Sequence, residues 1–404
     1  MKKVFAALLG ALMIFSACSN GADSSGSPYQ PTPEIHTITV ATVAHGKISA
    51  DKSSAKAEET VTLTIEPDSG CELIALDVGG GYSIAGSGNT RTFTMPNSDV
   101  TVKGVFCVIV SLGEYPQTIK VSGVTVDESQ SKSAGGLTYF KGSDEAWYVK
   151  QPENAKSTGE KYSDGTAVGQ GGTSYKYFKV EPIKWRVVST NYGGKKLLMA
   201  NQVLSMCEYY DTKEEDRGGI HPNNYKHSKV RAFLNGLEYN KSGTTDSSFL
   251  NKGFLQTAFS ASELTSILDT TVDNSASSTA CPGVSPATGS ACDNTTDKIF
   301  LLSLKEATDS SYAFPAYDAG SMGNTRILKS SDYAKACGVD YSLIDSGRLG
   351  AIWQLRSPVE NTSLQVPMYF GVRMCSSTGK IVGATLESLG AKSAGVVPAL
   401  CVNN

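Results

Sequence analysis

Thiols and imidazoles are the groups in this chain that could carry out nucleophilic chemistry. His221 and His227 lie in the turn-rich segment GGIHPNNYKHSK, and Cys207 and Cys375 are the cysteines that could meet them in space. A cysteine nucleophile needs a base within hydrogen-bond reach and a third group that orients the base. No local signature such as a GxSxG elbow supports such a site. We therefore predict no catalytic residues and no enzyme, with an exported enzyme using a Cys/His site as the alternative.

Metal-ligand spacing is missing from the sequence as well. The chain has no CxxC pair, and its four histidines never stand at helical i, i+4 spacing beside a carboxylate. The sequence therefore predicts neither a metal nor a cofactor.

Polar and aromatic side chains mix near the end of the chain in the way that adaptable binding surfaces do. The candidate ligand-binding residues are Gln354, Asn361, Ser363, Tyr369 and Phe370. They predict an adaptable binding face for a protein or a glycan near the end of the chain.

Two Trp-Arg pairs leave two interpretations open. Trp353 with Arg356, and Trp185 with Arg186, could be buried anchors of the sheets or could line a binding face. The sequence favours the buried anchor for both pairs.

Cys18 carries a different chemistry, because it ends a short apolar run that follows Lys2 and Lys3. Residues 1–17 have the form of a lipoprotein signal peptide, and the apolar run is too short to span a bilayer. Acyl chains on Cys18 would hold the mature chain on a membrane. We expect an exported protein, lipid-anchored to a bacterial outer or cell-surface membrane. An ordinary cleaved secretory signal is the alternative.

The amino-acid composition limits which classes of protein the chain can belong to. Of 404 residues, 40% are hydrophobic and 19% charged, which is typical of folded domains. The formal net charge is −3 without a basic cluster, so the sequence predicts no nucleic-acid partner. Eight cysteines follow Cys18, an even number that permits disulfides in an exported protein, and Cys281 with Cys292 is the favoured pair.

The order of elements predicts a linker, a small module and a larger domain. Residues 18–34 are small and polar and read as a flexible linker. Residues 35–105 alternate apolar and polar positions, which predicts a small antiparallel sheet. In residues 106–404, the segment 121–176 reads as a loop-rich insertion, and helices start at Ser228 and at the capping box of Ser260 and Glu263. The string SSDYAKACG predicts a third short helix that ends at Gly338. A strand-rich segment closes the chain, so the predicted fold class is α+β.

The strings TITVATVAHGKISA, ETVTLTIEPDSGCELIAL and RTFTMPNSDVTVKGVF carry a resemblance. Residues 35–105 resemble the divergent internalin-type B repeat of bacterial surface proteins. This resemblance implies a small β-grasp-like spacer.

The larger domain resembles a bacterial domain of unknown function that recurs in surface lipoproteins. The shared strings include LGEYPQ, EPIKWRVVS, KIFLLSLKEA, DYAKACG, WQLRSP and GVVPAL. Its closing part also resembles C-type-lectin-like folds of the sulfatase-modifying type, which implies that late loops bind ligand. We expect a cell-surface binding or adhesion protein that recognises a surface protein or glycan. A purely architectural envelope protein is a further alternative.

Overall fold

The computed structural model describes residues 34–155, 159–210, 220–241, 244–288, 291–317, 324–339, 350–359, 371–385 and 393–404. The predicted signal peptide, Cys18 and nearly all of the predicted linker lie outside these residues. Strands account for 45% of the structure and helices for 12%, and the described ranges contain only four α-helices. The predicted α+β class is therefore wrong, and the chain has a β-rich fold.

The first module is built from short strands with alternating burial. Its strands are β1 Ile35–Val40, β2 Gly46–Ala50, β3 Ser54–Lys56, β4 Thr60–Pro67, β5 Cys71–Asp77, β6 Thr90–Thr94 and β7 Val100–Ile119. In β4, Val61, Leu63 and Ile65 are buried while their neighbours face outward, as the period-two pattern predicts. Strands β2, β4 and β6 form one antiparallel sheet. Strand β1 pairs with β7 in parallel, so the predicted all-antiparallel arrangement is wrong there.

Strand β7 belongs to both parts of the chain. Its first half pairs with β5 over Lys103 to Val108, and its second half pairs with the later strand at residues 175–192. The strand passes without a break through the predicted domain boundary at residue 105. The pairing of β7 with β11 has two register shifts, one between Pro116 and Ile119 and one between Ser111 and Glu114. The second is a bulge that contains Gly113, whose φ is 72°. A β-carbon at Gly113 would lie 2.6 Å from the carbonyl oxygen of Ala258, so this position favours glycine.

The described residues after β7 add sixteen strands. They are β8 Val126–Ala134, β9 Leu137–Gly142, β10 Trp147–Pro152, β11 Tyr175–Tyr192, β12 Lys195–Ala200, β13 Ser205–Met206, β14 Tyr239–Lys241, β15 Thr244–Asp246, β16 Thr270–Val272, β17 Thr295–Asp297, β18 Ile299–Phe300, β19 Trp353–Val359, β20 Gly371–Cys375, β21 Ile381–Thr385, β22 Gly395–Val396 and β23 Ala399–Val402. The main sheet has the order β18-β23-β12-β11-β10-β9-β8, and β7 joins it beside β11. A second sheet has the order β13-β22-β19-β20-β21.

Three strands of the main sheet lie in the segment that the sequence marked as a loop-rich insertion. Strands β8, β9 and β10 fall within residues 121–176, so that prediction is wrong. For β8 the reason is burial: all but its first residue are exposed, so this edge strand shows no apolar alternation in its sequence.

The helices are short, and three of the four lie where the sequence predicts them, whereas α2 was not predicted. They are α1 Lys229–Asn235, α2 Phe254–Ala258, α3 Ala261–Ser266 and α4 Asp332–Cys337, with 3₁₀ turns at Tyr225–His227, Ala276–Thr279, Glu306–Thr308 and Ser310–Tyr312. Ser228 caps α1, and Ser260 with Glu263 forms the predicted capping box of α3. Gly338 ends α4 in the left-handed conformation, as predicted. No helix in the described ranges has the length and apolarity needed to cross a bilayer.

A buried ion pair crosses the core of the larger domain. Arg356 is 1% exposed and donates from Nη1 and Nη2 to the two carboxylate oxygens of Glu306, at 2.6 and 2.9 Å. The same guanidinium donates to the carbonyl oxygens of Leu301 and Asp273. Trp353 lies on the same strand and is fully buried as well. This Trp-Arg pair is therefore a buried anchor of the sheet.

All eight cysteines of the described residues are free thiols, so the predicted Cys281–Cys292 disulfide is wrong. The two side chains face different neighbours. Cys281 lies within reach of Thr308, whereas Cys292 lies against the backbone of Lys226. Burial raises the pKa of both thiols.

Candidate functional site

A polar groove lies where β7 and β11 meet the segment before α4. It consists of two contiguous concavities of about 550 and 700 Å³. We call the first the α4 cleft and the second the junction cleft, because the first is lined by the start of α4 and the second by β5 of the small module. Both clefts are lined by Gln117, Thr118, Gln202 and Lys329.

Asp332 fixes the wall of the α4 cleft. This carboxylate stands at the first position of α4 and is 4% exposed. It accepts hydrogen bonds from the backbone N–H of Ile119 at 3.1 Å and from the backbone N–H of Ser163 at 2.9 Å. The Ser163 hydroxyl and the Lys335 ammonium group also donate to it, at 2.5 and 3.1 Å. Its charge is therefore used to tie the end of β7 to α4, and the side chain acts as a structural clamp.

Two glutamines form the shared wall of the groove. The side-chain amide of Gln202 donates to the side-chain oxygen of Gln117. The amide of Gln117 in turn donates to the carbonyl oxygens of Glu181 and Pro182, at 2.7 and 3.1 Å. The Glu181 carboxylate accepts from both the hydroxyl and the backbone N–H of Thr118. These polar groups are held in place by the protein itself, so their orientation is set before any ligand arrives.

The junction cleft holds a chain of charged and polar contacts between the small module and the larger domain. Glu72, on β5, accepts from the Lys184 ammonium group at 2.6 Å and from the Asn201 amide at 3.3 Å. The side-chain oxygen of Asn201 accepts from Nε of Arg186 at 2.5 Å. Arg186 also donates from Nη1 to the carbonyl oxygen of Thr325 at 2.7 Å. These contacts position Arg186 in the wall of the cleft.

Charge is distributed unevenly in the groove. The carboxylates of Glu72, Glu181 and Asp332 all accept hydrogen bonds from protein donors. Lys161 and Lys329 are exposed, and within the described part of the chain neither has an ion-pair partner. The groove thus offers amide, hydroxyl and ammonium groups to a ligand.

Burial acts on the charge of Arg186. The side chain is only 5% exposed, and burial lowers the pKa of Arg186 to about 10, although Cys107 and Glu72 act in the opposite direction. The guanidinium is still charged at neutral pH, and it is held without a carboxylate partner in the described ranges.

The predicted ligand-binding residues lie elsewhere. Gln354 is fully buried, and its amide donates to the carbonyl oxygen of Cys207 at 2.8 Å. It therefore faces the interior and presents nothing to a ligand in solution. Asn361, Ser363, Tyr369 and Phe370 lie outside the described residues, and their role stays a prediction.

The groups of the alternative Cys/His site do not line the groove. His227 lines a separate depression of about 320 Å³ beside Arg231. Cys375 is buried, and burial raises the pKa of this thiol to about 12, which leaves it protonated at neutral pH. Among the groove residues that the structure describes there is no cysteine or histidine. In the same ranges no three His, Cys, Asp or Glu side chains come together as a metal site would require.

Sequence reasoning did not identify the groove. From the sequence, Arg186 fits either a buried anchor or a binding residue. No motif or pattern in the sequence indicates a binding role for Gln117, Gln202 or Lys329. Gln117 lies in the LGEYPQ string and Arg186 in the EPIKWRVVS string, whose resemblance to other proteins was the one clue available. The groove forms only when β7 and β11 pair, which brings residues far apart in the chain into contact.

Comparisons with known protein families match two segments of the chain. Neither the curated proteins nor the solved structures contain a match to this chain. Residues 36–109 match the family described as the divergent InlB B-repeat domain, which confirms the resemblance of the small module. Such a domain indicates a surface-associated or adhesion-like protein. Residues 193–404 match the family described as domain of unknown function (DUF6273). Because this match spans more than half of the chain, the chain belongs to that family.

Proposed function

We propose that this protein is a lipid-anchored cell-surface protein that binds a glycan or a protein ligand without catalysing a reaction. Three features support the proposal. The B-repeat module is typical of surface-associated proteins, Cys18 has the setting of a lipidation site, and the groove offers a polar recognition surface.

The preorganised wall of the groove is the observation that carries this proposal. Gln117 and Gln202 are bonded to each other, and Thr118 is bonded to Glu181. Ligand binding usually costs free energy to immobilise side chains, about 0.5–1.5 kcal/mol for each mobile one. Side chains already held by internal hydrogen bonds avoid much of that cost. A binding function explains such fixed polar groups around an open concavity.

Binding is tested with the full-length chain in detergent, probed against arrays of neutral and acidic oligosaccharides and of extracellular-matrix proteins. Gln202→Ala and Lys329→Ala are expected to weaken binding of the captured probe at least tenfold. Lys47→Ala is the matched control, because Lys47 is an exposed lysine on the small module, outside the groove. Binding by both groove variants at wild-type strength would show that the groove is not the recognition site.

Anchoring is tested separately. Cys18→Ala is expected to move the protein from the detergent phase to the aqueous phase in a phase-partition assay, because the acyl chains are lost. Mass spectrometry of protein from its native host is expected to find a lipid on Cys18. An unmodified amino terminus would refute the anchor.

A further inference from the structure

Arg186 differs from the buried Arg326 and Arg356 and from the partly buried Arg231. Arg356 is matched by Glu306, and Arg231 is matched by Asp297 at 2.7 Å. Arg326 donates to the carbonyl oxygens of four residues, including Gly379. These three guanidinium groups are satisfied within the protein.

Arg186 makes fewer contacts than these. Its Nε donates to Asn201 and its Nη1 to the carbonyl oxygen of Thr325. Nη2 has no acceptor among the residues that the structure describes, and no carboxylate lies within ion-pair distance of the guanidinium. A buried charge without a counter-charge is costly, and proteins rarely keep one without a use for it. The second N–H of Nη1 and both N–H groups of Nη2 remain for a ligand in the junction cleft.

Glu72 is the resident anion nearest to this site, and it is already engaged. One of its carboxylate oxygens accepts from Lys184 and the other from Asn201. Asn201 in turn accepts from Arg186. Glu72 therefore orients the amide that orients the guanidinium, and it leaves Nη2 open for an anion that comes from outside.

The geometry points to a carboxylate-binding subsite at Arg186, and to a saccharide that carries uronic acid groups as the ligand of the groove. This inference rests on the proposed binding function and names the chemical class of its ligand. A carboxylate accepts two parallel hydrogen bonds from Nη1 and Nη2, which is the arrangement that arginine offers best. Lys329, exposed on the wall shared by the two clefts, supplies a second cation for a further acidic group.

The rest of the lining favours a saccharide over a peptide. Gln202 keeps its side-chain oxygen and its second N–H for sugar hydroxyl groups, and the Thr118 hydroxyl oxygen, whose proton goes to Glu181, can still accept. A peptide that binds as an added strand needs an open strand edge. Along β7, the backbone N–H groups of Gly113, Thr118 and Ile119 already donate to side-chain carboxylates. They are therefore not free to pair with an added strand.

The test uses isothermal titration calorimetry on the full-length chain, with trigalacturonic acid and its methyl ester as probes. The two probes share their hydroxyl groups and differ in the carboxylate charge. Wild-type protein is expected to bind the acid at least tenfold more tightly than the ester. Arg186→Gln is expected to bind the two probes equally. Lys329→Gln, an exposed substitution that leaves the core intact, is expected to reduce the preference for the acid, while Lys47→Ala keeps it.

Thermal melting separates a binding role of Arg186 from a structural one. Arg186→Gln removes a buried charge without a counter-charge, so its melting temperature is expected to be no lower than that of the wild type. A large loss of melting temperature, with the acid preference kept in Lys329→Gln, would make Arg186 a structural residue and overturn the inference.

The outcomes also separate this inference from the proposed function. Equal affinity of the wild type for acid and ester would overturn the carboxylate subsite, while groove-dependent binding of a neutral glycan would leave the proposed function standing. Arg186-dependent binding of an acidic peptide, without saccharide binding, would overturn the choice of a saccharide. If groove variants alter the binding of no probe at all, both the subsite and the proposed function fail.

Discussion

Glu306→Gln gives the sharpest test of the core, because it removes one charge of the buried pair and keeps the shape of the side chain. Arg356 is 1% exposed and would keep its positive charge with only an amide oxygen and two backbone carbonyl oxygens as acceptors. Removing one partner of a buried ion pair costs about 3–5 kcal/mol. Since domains are stable by about 5–15 kcal/mol, this one substitution is expected to remove a large share of the free energy of unfolding.

The assay is urea unfolding of the full-length chain at pH 7, followed by tryptophan fluorescence. Trp353 and Trp185 are fully buried, so both report on the core. The unfolding midpoint is expected to fall while the m-value stays constant, because the folded surface is unchanged. The matched control is Asp293→Asn, which breaks the exposed pair of Asp293 and Lys226 at a similar distance of 2.8 Å. The control is expected to leave the midpoint unchanged. An equal midpoint for Glu306→Gln and Asp293→Asn would refute the reasoning that burial makes the pair essential.

Three further predictions concern acid, a bulge and a cap. Burial raises the pKa of Glu306, but its guanidinium partner and hydrogen bonds outweigh burial, and the pKa lies below the ordinary value of 4.5. The contribution of the Glu306 carboxylate to folding stability is therefore complete above pH 4.5 and is lost as the pH falls through its lower folded-state pKa. Lowering the pH is expected to reduce the free energy of unfolding of the wild type more than that of Glu306→Gln. Gly113→Ala is expected to cost at least about 1 kcal/mol in thermal melts, because its β-carbon would meet the carbonyl oxygen of Ala258, whereas Gly193→Ala, which meets nothing, is expected to cost less. Ser260→Ala is expected to cost about 1 kcal/mol in the same melts by removing the capping box, and a melting temperature equal to that of the wild type would contradict this role.

The sequence predicted those features that depend on neighbours along the chain. The caps at Ser228 and Ser260 and the end of α4 at Gly338 follow from local hydrogen bonding, and all three predictions are confirmed. Burial in β4 follows from its alternation, which is also local. Each of these signals lies within a few residues of the feature it predicts.

Features that depend on distant residues could not be predicted in this way. Strand β8 has one paired edge and almost no buried side chain, so its composition resembles that of a loop. The sequence around Arg186 does not show whether its guanidinium group contacts a carboxylate. Only the fold shows that Glu72 is engaged by Lys184 and Asn201. The predicted α+β fold class was wrong for a related reason. The capped segments do form helices, but the helices are only five to seven residues long, and strands form most of the regular structure.

The parallel pairing of β1 with β7 determines how the molecule would respond to tension. A twenty-residue strand extends to at most roughly 65 Å, so β7 forms a strut that links the small module to the main sheet. With the chain held at the amino-terminal side of β1 and load leaving through Ile119, the two strands are pulled from opposite ends. Their hydrogen bonds between Ile38 and Val40 and the facing residues of β7 would then be loaded together in shear, not opened one after another. Under the anchoring proposed at Cys18, the small module would resist a pull on the larger domain until several hydrogen bonds fail together.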